Sequence, residues 1–161
     1  VSIDNLNKFY EKSFLGLEEL TKDSYYPNQF LLMKDTLGSS ASAIGIVDEN
    51  CRFVKKLMYE GEHIWGIKPR NVQQTMALDL LLRSDIQLVT LIGKAGTGKT
   101  LLALATGLMQ TEDLSQYKKL LVARPIVPVG KDIGYLPGEK EEKLRPWMQP
   151  IFDNLQFFFF F

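Results

Sequence analysis

Eight residues near the middle of the chain have the types and the spacing that phosphate chemistry requires. They match the pattern G-x-x-x-x-G-K-[ST] and read Gly93-Lys94-Ala95-Gly96-Thr97-Gly98-Lys99-Thr100. Glycine lets the backbone adopt positive φ, so we expect Gly93, Gly96 and Gly98 to curve the loop into a nest of inward N–H groups. The Lys99 ammonium would then lie near the β- and γ-phosphates of a nucleotide, and the Thr100 hydroxyl would ligate Mg²⁺. The pattern predicts a phosphate-binding P-loop.

The segments on either side of this loop support the prediction. Before it lies a short, apolar, β-branched run at 86–92, which predicts a buried strand. After it, residues 101–109 combine good helix formers with apolar residues at helical spacing, and the dipole of such a helix favours phosphate at its N-terminus. A random chain of this length matches the loop pattern in fewer than about one case in a hundred. We assign to the nucleotide Gly93, Lys94, Ala95, Gly96, Thr97, Gly98, Lys99, Thr100 and Leu101, although the Lys94 side chain is expected to be a solvated charge.

Further elements predict an α/β fold with a parallel sheet around the P-loop. Asn71 and Gln74 have the N-cap and N3 spacing of a capping arrangement, which indicates a helix over 72–83. A second strand is predicted at 117–123, so the order strand, helix, strand implies a β-α-β unit with a right-handed crossover. The proline-rich stretch 124–138 leaves the carboxyl end of that strand, where parallel sheets bind ligands, and a short helix is expected after it.

The region before the P-loop unit predicts a small antiparallel meander. Strand-like runs occur at 29–33, 43–47 and 52–57, and turn residues separate them at 38–40 and 48–50. We expect four segments along the chain. They are a helix and loop remnant at 1–24, a small β-strand connector at 25–65, the N-terminal part of a P-loop domain at 66–156 and a phenylalanine tail at 157–161.

Composition narrows the class of protein. The chain has 161 residues, 45% of them hydrophobic, and 19 basic residues balance 19 acidic ones, so the net charge neither favours nor opposes a nucleic-acid partner. One cysteine, Cys51, excludes an internal disulfide, and with a single histidine it argues against a dedicated zinc site. The sequence has no apolar run of the length that a membrane span needs. We expect a cytoplasmic protein that does not enter a membrane.

Both ends of the chain are unusual. It starts at Val1 without methionine, so we expect a piece from the interior of a longer protein. It closes with five phenylalanines at 157–161, which an ordinary surface would not leave exposed. We interpret this run as an artefact, and a truncated strand or an adhesive tail are the alternatives.

Taken together, these motifs resemble the PhoH-like ATPase family, a P-loop group whose core is similar to superfamily 1 helicases. The resemblance covers about residues 28–155 and rests on the P-loop, Gln74, residues 77–81, and stretches more particular than the P-loop itself. Those stretches are Trp65-Gly66-Ile67-Lys68-Pro69-Arg70-Asn71, Arg124-Pro125-Ile126-Val127-Pro128-Val129-Gly130 and Ile133-Gly134-Tyr135-Leu136-Pro137-Gly138, continued by Lys143, Pro146 and Trp147. The resemblance implies binding and hydrolysis of ATP, with single-stranded RNA as the suspected substrate.

The resemblance also implies roles for residues outside the loop. By analogy with helicases, Gln74 would contact adenine, but it could instead only cap its helix through the Asn71 N–H. Arg124 and Lys131 would contact nucleic acid or the nucleotide of a neighbouring subunit in a homo-oligomer, whereas Arg124 could also form a structural salt bridge. In some family members a PIN-type nuclease domain precedes the ATPase, and residues 25–65 resemble the connector between the two.

One element of a hydrolysing site is missing from the sequence. ATP hydrolysis needs a carboxylate at the end of a later apolar strand to hold Mg²⁺, and neither Asp132 nor Asp153 follows such a strand. We expect that acidic motif to follow residue 155 in an intact protein. Three functions therefore remain open: an ATPase that handles RNA, a P-loop kinase of small molecules, and a nucleotide-binding module that does not hydrolyse.

Overall fold

The structure is a computed structural model that describes residues 1–20, 24–124 and 140–159, with side chains in the last segment described at 148–158. The chain divides into two compact units, Val1–Glu60 and Gly61–Phe161, which are taken in turn.

The first unit begins with a helix that contributes two residues to a small core. Helix α1 spans Ile3–Lys12 and starts at Ser2, whose side chain accepts a hydrogen bond from the Asn5 N–H at 3.2 Å. It ends at Ser13, which lies in the left-handed region at φ 63. Leu6 and Phe9 lie one helical turn apart on the buried face of α1, so this helix covers one side of the sheet that follows.

That sheet has four antiparallel strands in the order β1-β4-β3-β2. The strands are β1 Phe14–Gly16, β2 Phe30–Lys34, β3 Ser42–Val47 and β4 Phe53–Lys56. The predicted meander is confirmed as β2, β3 and β4, whose register pairs Leu32 with Ile44 and Val47 with Val54. The sequence did not predict β1, because three residues are too few to show the alternation of a strand; β1 pairs with the free edge of β4.

Side chains from α1 and one face of the sheet form the core of this unit. The buried cluster consists of Leu6, Phe9, Leu15, Leu17, Met33, Ala43, Val47 and Val54. Gly45 is required at the centre of β3, because a Cβ there would lie 2.4 Å from a Val54 methyl and 3.1 Å from the Phe9 ring. The helix therefore packs directly on the backbone of the sheet.

Asp48 closes the turn between β3 and β4. Its Oδ1 accepts hydrogen bonds from the Arg52 N–H at 2.8 Å and the Phe53 N–H at 2.9 Å. Burial by itself would raise the pKa of Asp48, but these two hydrogen bonds and the nearby Lys55 and Arg52 hold the pKa below its ordinary value of 3.8. The charged form of Asp48 therefore stabilises the hairpin.

The second unit is built mainly from helices. They are α2 Val72–Leu82, α3 Lys99–Leu108, which continues into a π-helical turn at Met109–Asp113, and α4 Lys140–Phe159. Helix α3 packs against both α2 and α4, and its buried side chains include Leu102, Leu104, Ala105 and Leu108. Helix α4 has 20 residues, so the sequence-based expectation of a short helix was wrong in length.

The beginning of α2 confirms the predicted cap. Asn71 is the N-cap residue, and its side chain accepts a hydrogen bond from the Gln74 N–H at 2.9 Å. The Gln74 side chain reaches back as well, but to the Arg70 N–H at 2.8 Å and not to the Asn71 N–H that we expected.

The predicted parallel sheet is not present among the described residues. Segments 86–92 and 117–123 pair with no strand in that part of the chain, and several of their apolar side chains are exposed. Leu88 is 84% exposed, Ile92 93% and Leu121 82%. Parallel strands are normally buried on both faces and paired on both edges, and the described part of this unit offers no central strand to either segment.

Candidate nucleotide site

The P-loop follows segment 86–92 and leads directly into α3. Gly96 lies at φ 75 and Gly98 at φ 84, both in the left-handed region that strongly favours glycine. Gly98 is also the N-cap residue of α3, so no side chain blocks the first N–H groups of the helix. Those N–H groups carry the positive end of the helix dipole, which is the ordinary setting for a bound phosphate.

Gly93 does not need positive φ, in contrast to our expectation for all three glycines. The structure places only Gly96 and Gly98 of the loop in the left-handed region. A Cβ at Gly93 would lie 3.4 Å from Thr97 Oγ1 and 3.9 Å from Lys99 Cδ. Gly93 therefore lies beside the Lys99 side chain, and a Cβ at this position would make only ordinary van der Waals contacts.

The Lys99 ammonium is held inside the loop. Its Nζ donates to Gly93 O at 3.0 Å, to Lys94 O at 2.7 Å and to Thr97 Oγ1 at 3.3 Å, which uses all three of its N–H donors. Thr97 Oγ1 in turn donates to Lys94 O at 2.9 Å. The loop thus already curves around the ammonium, and phosphate oxygens would replace carbonyl oxygens as its partners.

The remaining loop residues are placed as follows. Lys94, Ala95 and Thr100 are exposed. Leu101 lines a cavity beside the loop. Among the described residues, no group of three or more histidine, cysteine or acidic side chains could hold a metal ion.

Gln74 joins α2 to the P-loop. Its Nε2 donates to Thr97 O at 3.2 Å while its Oε1 accepts from the Arg70 N–H. A Cβ at Gly98 would lie 3.2 Å from that Nε2, so the two elements approach closely. The capping and ligand-contacting roles that we considered for Gln74 do not exclude each other, because the amide both caps the chain before α2 and faces the loop.

A cavity of about 290 Å³ opens between the loop and the residues that precede α2. Five of the residues that the sequence analysis assigned to the nucleotide line it, namely Gln74, Gly96, Thr97, Gly98 and Leu101. Its other walls were not predicted from the sequence. They are Gly66, Ile67, Lys68, Arg70, Leu102 and Phe157. The run 65–71 carried the family resemblance, but no pattern in it showed that these residues would face the P-loop.

The turn that carries Gly66 is unusual. Ile64 and Ile67 bridge to each other, and the two residues between them, Trp65 and Gly66, have φ 48 and φ 75. Positive φ is uncommon for a bulky residue such as tryptophan. Its Nε1 donates to Asp113 Oδ2 at 2.9 Å, which fixes the ring beside the π-helical turn. This hydrogen bond indicates a structural role for Trp65.

The two basic residues proposed beyond the loop differ in what the structure describes of them. Arg124 is exposed and does not line the cavity beside the loop. Lys131 lies outside the described residues. No helix in the described part of the chain is long and apolar enough to cross a membrane.

Comparison with known proteins identifies the family. The family model described as PhoH-like protein matches residues 66–160, which is more than half of the chain and includes the P-loop, α2 and the loop before it. The chain belongs to the PhoH-like protein family. PhoH-like proteins are P-loop NTPases, and the matched region includes the loop at 93–100. The family resemblance seen in the sequence is confirmed.

Individual relatives extend the similarity into the first unit. Protein PhoH2 of Bacillus subtilis (strain 168) is 68% identical over 159 residues, which is 99% of this chain and 36% of that protein. Protein PhoH2 of Mycolicibacterium smegmatis is 41% identical over 121 residues, 74% of this chain and 27% of its own length. A PhoH-like protein of Bacillus subtilis is 36% identical over 103 residues, 61% of this chain and 31% of its own length. This PhoH-like chain thus spans about a third of the curated relatives it matches. No solved structure matches it.

Proposed function

We propose that residues 93–101 bind ATP together with Mg²⁺, and that the complete protein hydrolyses ATP in order to act on single-stranded RNA. The observation that carries the proposal is the geometry of the loop. Two left-handed glycines curve it, Lys99 lies inside it, and α3 begins at its end.

The residues present fit a triphosphate. A Cβ built at Gly96 meets nothing within 4 Å, so the space over the loop is open to a ligand. The exposed Thr100 follows Lys99 directly, and its hydroxyl would supply the protein ligand to Mg²⁺. Mg²⁺ in such sites is held mostly by water and phosphate oxygens, with one or two carboxylates. We propose that the carboxylate comes from a part of the protein that follows this chain.

The orientation of the Gln74 amide favours adenine over guanine. Hydrogen bonds to Arg70 N and Thr97 O fix which end of the amide is oxygen and which is nitrogen. One N–H donor and one acceptor position of the amide then remain for a ligand. Adenine offers a donor at N6 and an acceptor at N7, which complement that pair, whereas guanine offers acceptors at both O6 and N7. We therefore propose ATP as the preferred nucleotide.

A parallel sheet would complete the site. Segments 86–92 and 117–123 are apolar and partly exposed, and each leads into a loop on the nucleotide side of the predicted fold. We propose that both become strands of a parallel sheet in the complete protein. Strand 86–92 would then hold the start of the P-loop, as strands do in P-loop NTPases.

The proposal of an RNA substrate is based on the family and on the charge of residues 118–145. Arg124, Lys131 and their basic neighbours give residues 118–145 seven positive charges against four negative ones, which permits contact with a phosphate backbone. We propose that Arg124 and Lys131 contact nucleic acid or a neighbouring subunit of a homo-oligomer. We further propose that a PIN-type nuclease domain precedes the chain and that the protein works in the cytoplasm.

Turnover measurements test the function. The rate of ATP hydrolysis of the complete protein is measured with and without single-stranded RNA, and separately with small-molecule phosphate acceptors. Stimulation by RNA supports the proposal. Turnover only with a small acceptor would identify a kinase, and tight ATP binding without turnover would identify a binding module; either result would contradict the proposed ATPase.

A further inference from the structure

The hydrogen bond between Gln74 and Thr97 has a consequence for the peptide that follows. Gln74 Nε2 donates to the carbonyl oxygen of Thr97 at 3.2 Å. The Thr97–Gly98 peptide is trans, since no cis bond occurs among the described residues. In a planar trans peptide the carbonyl and the next N–H point in opposite directions. Because the carbonyl of Thr97 faces Gln74, the N–H of Gly98 faces away from α2.

The other end of the same segment is also held in place. The Thr97 hydroxyl donates to Lys94 O at 2.9 Å and accepts from Lys99 Nζ at 3.3 Å. These bonds hold the side chain of Thr97 on the inner side of the loop, whereas Gln74 holds its carbonyl on the side of α2. The peptide between Thr97 and Gly98 therefore has one preferred orientation.

We propose that Gln74 is a positioning residue for phosphate binding, which turns the Gly98 N–H toward the phosphate site by holding the Thr97 carbonyl. This role is separate from any contact between Gln74 and a base. A ligand that contains phosphates but no base should therefore still depend on Gln74. The inference rests on the proposed nucleotide site at residues 93–101.

The backbone of Gly98 makes this anchor important. Gly98 lies at φ 84 and is a glycine, so its flanking peptides rotate more easily than those of other residues. Without the amide of Gln74, the Thr97–Gly98 peptide could turn its N–H out of the loop, and one phosphate donor would be lost. Gln74 lies in the first turn of helix α2, so the anchor extends from a regular element.

Binding of inorganic tripolyphosphate tests the proposal, because this ligand has no base. Its affinity with Mg²⁺ is measured by calorimetry for the protein and for Gln74→Leu, which keeps side-chain bulk but removes the amide. We expect Gln74→Leu to bind tripolyphosphate about threefold to tenfold more weakly, which corresponds to the net contribution of one ordinary hydrogen bond. An unchanged or increased affinity would overturn the proposal.

Two matched variants separate this role from a general effect on α2. Gln73→Leu changes the exposed neighbour of Gln74 and should bind tripolyphosphate as the unmodified protein does. Asn71→Ala removes the helix cap but leaves the Gln74 amide. If Asn71→Ala weakened tripolyphosphate as much as Gln74→Leu, fraying of α2 would explain the loss and the proposal would fail.

The amide resonance of Gly98 gives a second readout that a purely structural role would not change. On addition of tripolyphosphate we expect the Gly98 ¹H–¹⁵N resonance to shift downfield in the unmodified protein and to shift less in Gln74→Leu, while the Gly96 resonance responds in both. Equal Gly98 shifts in the two proteins would overturn the positioning role. Failure of the unmodified protein to bind ATP or tripolyphosphate would instead contradict the proposed nucleotide site itself.

Discussion

The apolar strand-like segments of the two units differ in strand pairing and in burial. In the first unit all four strands are paired, and Val54 and Val47 are almost completely buried under α1. In the second unit, segments 86–92 and 117–123 are also apolar but pair with no described strand. Leu88 and Ile92 are exposed to solvent. The difference follows from the kind of sheet that each segment needs and from the number of strands in it. A meander finds each partner within a few residues, whereas a parallel sheet needs long crossovers and several strands.

The largest effect is expected in the core of the first unit. Phe9 is 2% exposed and packs over Gly45 and Val54. Phe9→Ala should lower the free energy of unfolding of this unit by about 3–5 kcal/mol, because it removes apolar burial and leaves a cavity. Thermal or urea unfolding followed by circular dichroism measures the loss. Leu37→Ala, at a side chain that is 86% exposed in the same unit, is the control and should change little.

The second expected effect concerns binding in the second unit and not its stability. Lys99→Ala removes the ammonium that should bind the β- and γ-phosphates, so ATP affinity should fall on the order of a hundredfold, as expected for losing hydrogen bonds to a charged ligand. Calorimetric titration with MgATP measures the fall. Lys94→Ala, at the exposed lysine of the same loop, should bind ATP nearly as well as the unmodified protein. Equal losses in both variants would show that net charge, and not the position of Lys99, controls binding.

The third prediction tests whether segment 86–92 of the second unit becomes a buried strand in the complete protein. In the 161-residue chain, Leu88→Ala should change the free energy of unfolding by less than about 0.5 kcal/mol, because the side chain is 84% exposed. In a complete protein with a parallel sheet the same change should cost about 2 kcal/mol or more. Parallel unfolding measurements on both proteins give the comparison. A small cost in both would contradict the proposed sheet.

The smallest expected effect depends on pH and lies in the first unit. The pKa of Asp48 is lowered from 3.8 in the folded state, so its stabilising effect is fully present above about pH 4 and is lost as the pH falls through the lowered value. Asp48→Asn keeps one acceptor oxygen but removes the charge. We expect this variant to lose less stability between pH 5 and pH 2 than the unmodified protein, by about 1 kcal/mol or less. Identical pH profiles would show that Asp48 does not contribute.

Sequence patterns predicted the local features of this molecule well. The P-loop, the Asn71 cap, α2, α3 and the three strands of the meander all depend on residues close together in the chain, and all were found near their predicted positions. The strand β1 was missed because Phe14–Gly16 has no alternation of its own and is defined by pairing with β4. Its partner lies about 40 residues away, beyond the range of any local pattern.

The candidate nucleotide site was predicted only in part, because sequence patterns detect residues that lie close together in the chain. Gly96, Gly98 and Lys99 could be assigned because their chemistry follows from a contiguous motif. The cavity walls at Ile67, Lys68 and Arg70 could not, since they reach the P-loop only through the fold of the residues before α2. The second hydrogen bond of Gln74, to Thr97, joins positions 23 residues apart and leaves no trace in local spacing.

A crystal structure of the complete protein with Mg²⁺ and a non-hydrolysable ATP analogue would test both the nucleotide site at residues 93–101 and the proposed parallel sheet. We expect the phosphates to contact the N–H groups that follow Gly96 and the adenine ring to contact Gln74. Segments 86–92 and 117–123 should pair in a parallel sheet. An analogue bound away from residues 93–101, with the loop still closed around the Lys99 ammonium, would contradict the proposed nucleotide site.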